Sequence, residues 1–231
     1  MSTETDTRVA QLEKEINKLN RRKRRAVRQA KAEGMMQGII GMLKPGDVVF
    51  DCGANVGAVA DPLSQTGATV HAFEPDPWAF EQLTARLQGR DNVVLHNAAV
   101  GATAGTVELM RAPTFEDDPK KASVMSTIIA GGRNMGTEAG DKIEVPLLCL
   151  PDLIDEEVAK SGEIAFLKID IEGAELDLIN AMADRNQFGN VRVTVAETHE
   201  SKFKELKPAF AALRTRIGSE YPASKVYLDW I

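Results

Sequence analysis

The 231-residue chain has few aromatic residues, few cysteines and no long apolar run. Aromatics make up 5%, too few for the stacking platforms on which single-stranded nucleic acids are usually bound. Cys52 and Cys149 form neither a disulfide framework nor a zinc-ligand pattern, which suits a reducing compartment. No apolar stretch approaches the roughly 20 residues needed to cross a bilayer. Met1 to Arg8 are polar and contain no apolar core of the signal-peptide kind, so a soluble, cytoplasmic protein is the expectation. The Gly-x-Gly-x-x-Gly fingerprint of a dinucleotide site is missing too.

What is present is ordinary in bulk. Hydrophobic residues at 43% and charged residues at 27% suit a globular protein with a full core, and the length suits one domain plus an appendage. The net charge of −6 is uneven. Between Arg8 and Lys31 ten basic residues face two acidic ones, a surplus of eight that leaves −14 for the rest. An acidic body disfavours nucleic acid as the partner, although a basic arm could still touch an anionic surface.

Residues 8–43 read as a helix. Val9, Leu12, Ile16 and Leu19 recur at steps of three and four, Ala26 and Ala30 continue the register, and Lys23 interrupts it. Three roles are open: a solvated helix lying on the body, a coiled coil making a homo-oligomer through residues 9–30, or an arm that docks on nucleic acid or anionic lipid. The chain thus divides into a basic amphipathic helix, 1–43, and a main domain, 44–231.

The main domain opens with strand Val48–Phe50, a glycine turn, a helix to about Thr66, strand Thr69–Phe73, a helix from Trp78 to Leu87, and strand Asn92–His96. This β–α–β–α–β order predicts an α/β fold with a Rossmann-like, doubly wound, mostly parallel sheet. Gly105–Met110 and Ile143–Leu148 look like an inserted hairpin. The long polar stretch between them reads as a lid. The parallel pattern resumes with strand Ile164–Ile169, helix Ala174–Met182, strand Val191–Ala196, helix Lys202–Arg216 and a closing strand Lys225–Trp230.

Four segments carry chemistry. Asp51-Cys52-Gly53-Ala54-Asn55-Val56-Gly57 sits at a strand end, where a glycine lets backbone approach a ligand. Asp51 would repel a pyrophosphate but could accept from an ammonium, directly or through water, which favours the methionine end of S-adenosylmethionine over NAD. Glu74 ends the second strand 23 residues later, where an acid accepts from ribose hydroxyls. Leu167-Lys168-Ile169-Asp170-Ile171-Glu172-Gly173-Ala174-Glu175 brings three acids to the carboxyl end of a buried strand. Ala196-Glu197-Thr198-His199 ends the next one, with Glu197 and His199 on one side if the strand continues. His71 and His96 fall inside strands as packing residues.

These segments, with Phe73-Glu74-Pro75, Asn97-Ala98-Ala99-Val100-Gly101 and Val145 to Ile154 containing Leu150-Pro151-Asp152-Leu153, occur in the order seen in FkbM-type methyltransferases. The chain is similar to that family over residues 44–200, with little likeness in 111–142. The resemblance implies a Rossmann-like fold and S-adenosyl-L-methionine-dependent methylation of a hydroxyl on a sugar, glycan or small natural product. It places Asp51, Gly53, Asn55 and Gly57, with Ala54 in the same turn, along the methionine part. Glu74, with Pro75 beside it, holds the ribose. Asn97 and Ala98 border the adenine, and Asp170 and Glu172 lie near the transferring methyl. Pro151 stands where the family more often has an acid.

The expected chemistry is in-line displacement, with His199 as base helped by Glu197 and Glu172. Asp170, Glu172, Glu197 and His199 could together hold a divalent ion, but they form no tight ligand motif and no metal is expected. Three other classes stay open: a nicotinamide-dependent oxidoreductase, disfavoured by the missing Gly-x-Gly and by Asp51, a nucleic-acid methyltransferase gripping phosphates with the basic helix, and a non-catalytic protein assembled through it.

Overall fold

Val48–Cys52, five consecutive buried residues, form β1 in the middle of the main sheet. A strand covered on both faces needs apolar side chains at every position rather than at alternate ones, and β1 departs from that only at Asp51. The computed structural model describes residues 2–112, 114, 115, 117–119, 123, 126–128, 142–200 and 202–230, without the side chains of 2–6 and 204. After helix α1 (Ser2–Met42) and β1 come α2 (Ala60–Ser64), β2 (Thr69–Phe73), α3 (Pro77–Arg86), β3 (Val93–His96), β4 (Ala99–Gly101), β5 (Gly105–Met110) and β6 (Lys142–Cys149). They are followed by α4 (Leu150–Ser161), β7 (Ile164–Ile169), α5 (Glu175–Asp184), β8 (Val191–Ala196), α6 (Lys207–Glu220) and β9 (Val226–Tyr227).

The main sheet runs β3-β2-β1-β7-β8-β9 with every pairing parallel. The order reverses between β1 and β7, so the crossovers diverge there and leave a crevice beyond the carboxyl ends of the strands. The doubly wound α/β architecture is as the sequence order implied. A smaller sheet, β4-β6-β5, holds the inserted hairpin: β5 pairs antiparallel with β6 and β4 pairs parallel with it. Three-residue β4 is too short to show a periodicity.

Boundaries moved where backbone chemistry intervened. Asn55 and Gly57 have φ of +47° and +82°, outside the right-handed helical region, and α2 begins only at Ala60. The expected helix from Lys202 starts as a 3-10 turn, Lys204–Leu206, before α6, where Pro208 occupies the first turn. The closing strand shrinks to two residues, because only Val226 and Tyr227 lie alongside β8.

Val48, Phe50, Cys52, Leu167 and Ile169 meet α4, α5 and α6 through Ile154, Ile179, Met182 and Leu213 in one buried cluster. Val49 and Asp51 alternate to the opposite face. His71 and His96 stack in neighbouring strands with ring nitrogens 3.2 Å apart. Burial, then the neighbouring His71, pushes His96 down to about 4. Both act as packing residues.

The described chain divides into two units, α1 as far as Gly41 and Met42–Trp230. Val9, Leu12, Ile16 and Leu19 on α1 are exposed. Among the described residues no helix is long and apolar enough to cross a membrane.

Candidate active site

The crevice holds a cavity lined by the ends of β1, β2 and β7, by β4 and β5, and by a short piece of the insertion. Gly53, Asn55, Glu74, Pro75, Ala98, Asp170 and Glu172 line it together with apolar Phe73, Val100, Leu109, Ile128 and Ile171. These seven polar and turn residues come from sequence segments up to about 120 residues apart, and parallel pairing aligns their strand ends.

Gly53 is where the two sides of the crevice touch. Its φ is +77°, and a Cβ there would lie 1.8 Å from the carbonyl oxygen of Asp170. Only a residue without a side chain lets β1 and β7 turn outward side by side. The turn is tied to the end of β2: the Gly53 and Ala54 N–H groups both donate to the Phe73 carbonyl, at 3.0 and 2.9 Å.

Glu74 is held from two directions. One carboxylate oxygen accepts from Asn55 N and the other from Asp76 N, both at 2.8 Å. Burial raises its pKa to about 7, against the pull of those two N–H groups. Each oxygen keeps a lone pair, because a carboxylate oxygen accepts about two hydrogen bonds. Asp76 caps α3 by accepting from Trp78 N and Ala79 N and takes both guanidinium contacts of Arg111, at 2.8 and 3.0 Å.

Four of the expected cofactor residues lie outside the cavity lining. Asp51 does not line the cavity and is fully buried beneath it. Register sets it beside Lys168, whose ammonium lies 3.2 Å from Asp51 Oδ1 and 3.4 Å from Asp170 Oδ2. The same ammonium donates to the Gly53 carbonyl at 2.9 Å. Burial works against that charge, but the flanking carboxylates outweigh it and hold Lys168 above the ordinary lysine range. Asp51 is pushed up by burial and held back by Lys168. Asp51 thus has an internal lysine ammonium beside it. Gly57 faces α3 instead of the cavity: a Cβ would sit 2.8 Å from Leu83 Cδ1. Ala54 is buried behind the turn. Asn97 is outside the lining and braces the Glu74–Pro75 turn, its amide donating to the two carbonyls at 2.9 and 3.3 Å.

The acidic end is built from side chains. His199, 5% exposed, places Nε2 3.4 Å from Glu172 Oε2, 3.8 Å from Glu197 Oε1 and 3.9 Å from Asp170 Oδ1. The structure thus brings His199, Glu197, Glu172 and Asp170 together. Burial, then the Asp170 charge, lifts Glu197 to about 7. Burial also raises Glu172, while His199 and Lys202 pull it down. Glu172 has φ +57°, a left-handed conformation that costs a non-glycine residue on the order of 1 kcal/mol or more. Its side chain is paired with the Lys202 ammonium, and its carbonyl accepts from Thr127 Oγ1 at 2.5 Å.

Thr127, Ser126, Ser123 and Lys202 escaped the sequence reading as site residues, and Lys168 and Glu175 lay in a segment it singled out without receiving a role. Met110 and Thr127 pair backbone to backbone at 2.9 and 3.0 Å, which lays Ser126–Ile128 along the cavity wall. Most of the remaining expected lid lies outside the described residues. Asp170, Glu175 and His199 bring potential ligand atoms within 4.8 Å of one another. Glu175, however, already accepts from Ile171 N, Gly173 N and the His199 ring, which leaves little capacity for a cation.

The FkbM methyltransferase domain model matches residues 51–223. The chain is 34% identical over 185 residues to the 31-O-demethyl-FK506 methyltransferase FkbM of Streptomyces tacrolimicus, covering 68% of this chain and 67% of that protein. It is 27% identical to the hexuronic acid methyltransferase AglP of Haloferax volcanii, over 66% of this chain and 56% of that one. It is 26% identical to the methyltransferase sdnD of Sordaria araneosa, over 71% and 70%.

Proposed function

The chain belongs to the FkbM methyltransferase family, and from that premise we propose that it uses S-adenosyl-L-methionine to methylate a hydroxyl group on a sugar, a glycan or a small natural product. The observation that carries the reading is Glu74: a nearly buried carboxylate in the cavity wall, at the end of β2, with one lone pair left on each oxygen. That arrangement fits the two adjacent hydroxyls of a ribose. Phe73, Ala98, Val100 and Leu109 beside it offer apolar surface to an adenine ring. The names of the relatives from Streptomyces and Haloferax support an oxygen acceptor on a natural product or sugar acid.

When bound, the cofactor supplies a methyl group already activated by a sulfonium, so the protein's work is orientation and proton transfer. Gly53 and Asn55 border the methionine end. Asp170 and Glu172, at the junction of the cavity with the His199 cluster, border the methyl. The acceptor hydroxyl gives its proton to the Glu197 carboxylate, 3.8 Å from His199 Nε2; His199, held at about 9, is protonated near neutral pH and takes a proton at Nε2 itself only at higher pH.

Calorimetric titration with S-adenosylmethionine tests the reading. Wild-type protein binds at micromolar Kd, NADH does not bind, and Glu74→Ala weakens the affinity about 100-fold through loss of two charged hydrogen bonds. Equal affinity in the folded variant removes the ribose assignment. No binding to folded wild-type protein removes the enzyme reading and favours a protein assembled through α1.

A further inference from the structure

Glu175 lies within a sequence motif but outside the cavity, and no role in the site follows from its place in the chain. It opens α5 and is completely buried. Its Oε1 accepts from Ile171 N and Gly173 N, both at 3.1 Å, and its Oε2 accepts from Gly173 N at 3.0 Å. The remaining contact is His199 Nδ1, 2.9 Å from Oε1. A carboxylate only accepts, so this contact requires the hydrogen to be on Nδ1. His199 is itself almost fully buried and has little room to turn its ring.

We propose that Glu175 is the positioning residue for His199, locking the imidazole with Nδ1–H toward the buried carboxylate and Nε2 toward Asp170, Glu172, Glu197 and the acceptor. The inference rests on the methyltransferase reading for its purpose, and on the structure alone for its geometry. An imidazole free to invert presents either an N–H or a lone pair to its substrate. One pinned at Nδ1 takes and gives its proton at Nε2 only. The anchor is rigid because two backbone N–H groups of the β7–α5 turn hold it, and the first turn of a helix favours a negative charge.

The charged groups around His199 are Glu175 from α5, Asp170 and Glu172 from the turn after β7, Glu197 from the end of β8, and Lys202 through Glu172. Burial is the largest single influence and pushes His199 down. The Glu175 hydrogen bond and charge, then the Glu172 charge, outweigh it and leave the ring at about 9. The folded value is thus above the ordinary 6.5 of histidine. Protonation of His199 therefore adds stability that is fully present below 6.5 and is lost as pH rises through about 9.

The test is nuclear magnetic resonance of the full chain labelled with ¹⁵N-histidine, titrated from about pH 5 to pH 10. In wild-type protein the His199 Nδ1 stays protonated throughout and only Nε2 titrates. In Glu175→Gln the midpoint falls by at least about one unit, a tenfold loss of proton affinity, while S-adenosylmethionine affinity stays within about twofold. Glu175→Asp recovers part of the shift. A wild-type ring whose neutral form carries its hydrogen on Nε2 overturns the proposal, even if the variants fail to fold. So does an unchanged midpoint in folded Glu175→Gln. Wild-type protein that shows Nδ1–H but binds no S-adenosylmethionine supports the anchored imidazole and refutes the methyltransferase reading instead.

Discussion

The two sides of the crevice are made differently. The side built on β1 and β2 is mostly backbone: a turn at Gly53–Ala54 tied to the Phe73 carbonyl, and one carboxylate, Glu74, clamped by two N–H groups. The side built on β7 and β8 is mostly side chain: His199, Glu197, Glu172, Glu175 and Lys202 converge from separate elements. A site made by backbone has its shape before any ligand arrives, and its cost is conformational. A site made by charged side chains is tuned by who stands next to whom, and its cost is desolvation. Shape suits an invariant cofactor, and tunable charge suits proton transfer.

The largest effect should come from breaking the join between the sides. Gly53→Ala puts a methyl 1.8 Å from the Asp170 carbonyl at a φ of +77°. It should cost about 4 kcal/mol or more, because backbone on both strands must move. Urea unfolding would show it, and binding of S-adenosylmethionine would be lost with it. A variant with an unshifted midpoint would mean that the join is loose.

Lys168→Met comes next. It leaves Asp51 buried without its cation and should cost about 3–5 kcal/mol, also read by urea unfolding. Lys168→Met combined with Asp51→Asn should recover much of that loss. If it does not, Lys168 acts through its hydrogen bond to Gly53 rather than through the ion pair.

The smallest change sharpens the contrast. Thr127→Val removes the hydroxyl that donates to the Glu172 carbonyl and should cost about 1 kcal/mol. Calorimetry should find cofactor affinity little altered, with Glu172 and the acceptor side loosened. A larger fall in cofactor affinity than in stability would assign Thr127 to the cofactor side.

Much of the backbone-built side was legible in the chain. A glycine turn, an acid at the end of the next strand and a β–α–β–α–β order are local patterns. The parallel sheet, Gly53 and Glu74 follow from them. Segments as short as β4, and backbone like that of Asn55, lie below what periodicity can show.

Neighbours across strands were not legible. Asp51 and Lys168 are 117 residues apart and meet because β1 and β7 pair in one register. Glu175 and His199, 24 residues apart, meet because the start of α5 folds over the end of β8. Gly57 reads as a ligand glycine until α3 is seen packed against it. Secondary structure and strand ends are set by residues close in sequence, so the chain alone determined the fold and where a site would lie. Which charges are paired, which are buried and which face the cavity depends on register and crossover packing, and only the tertiary structure decided that.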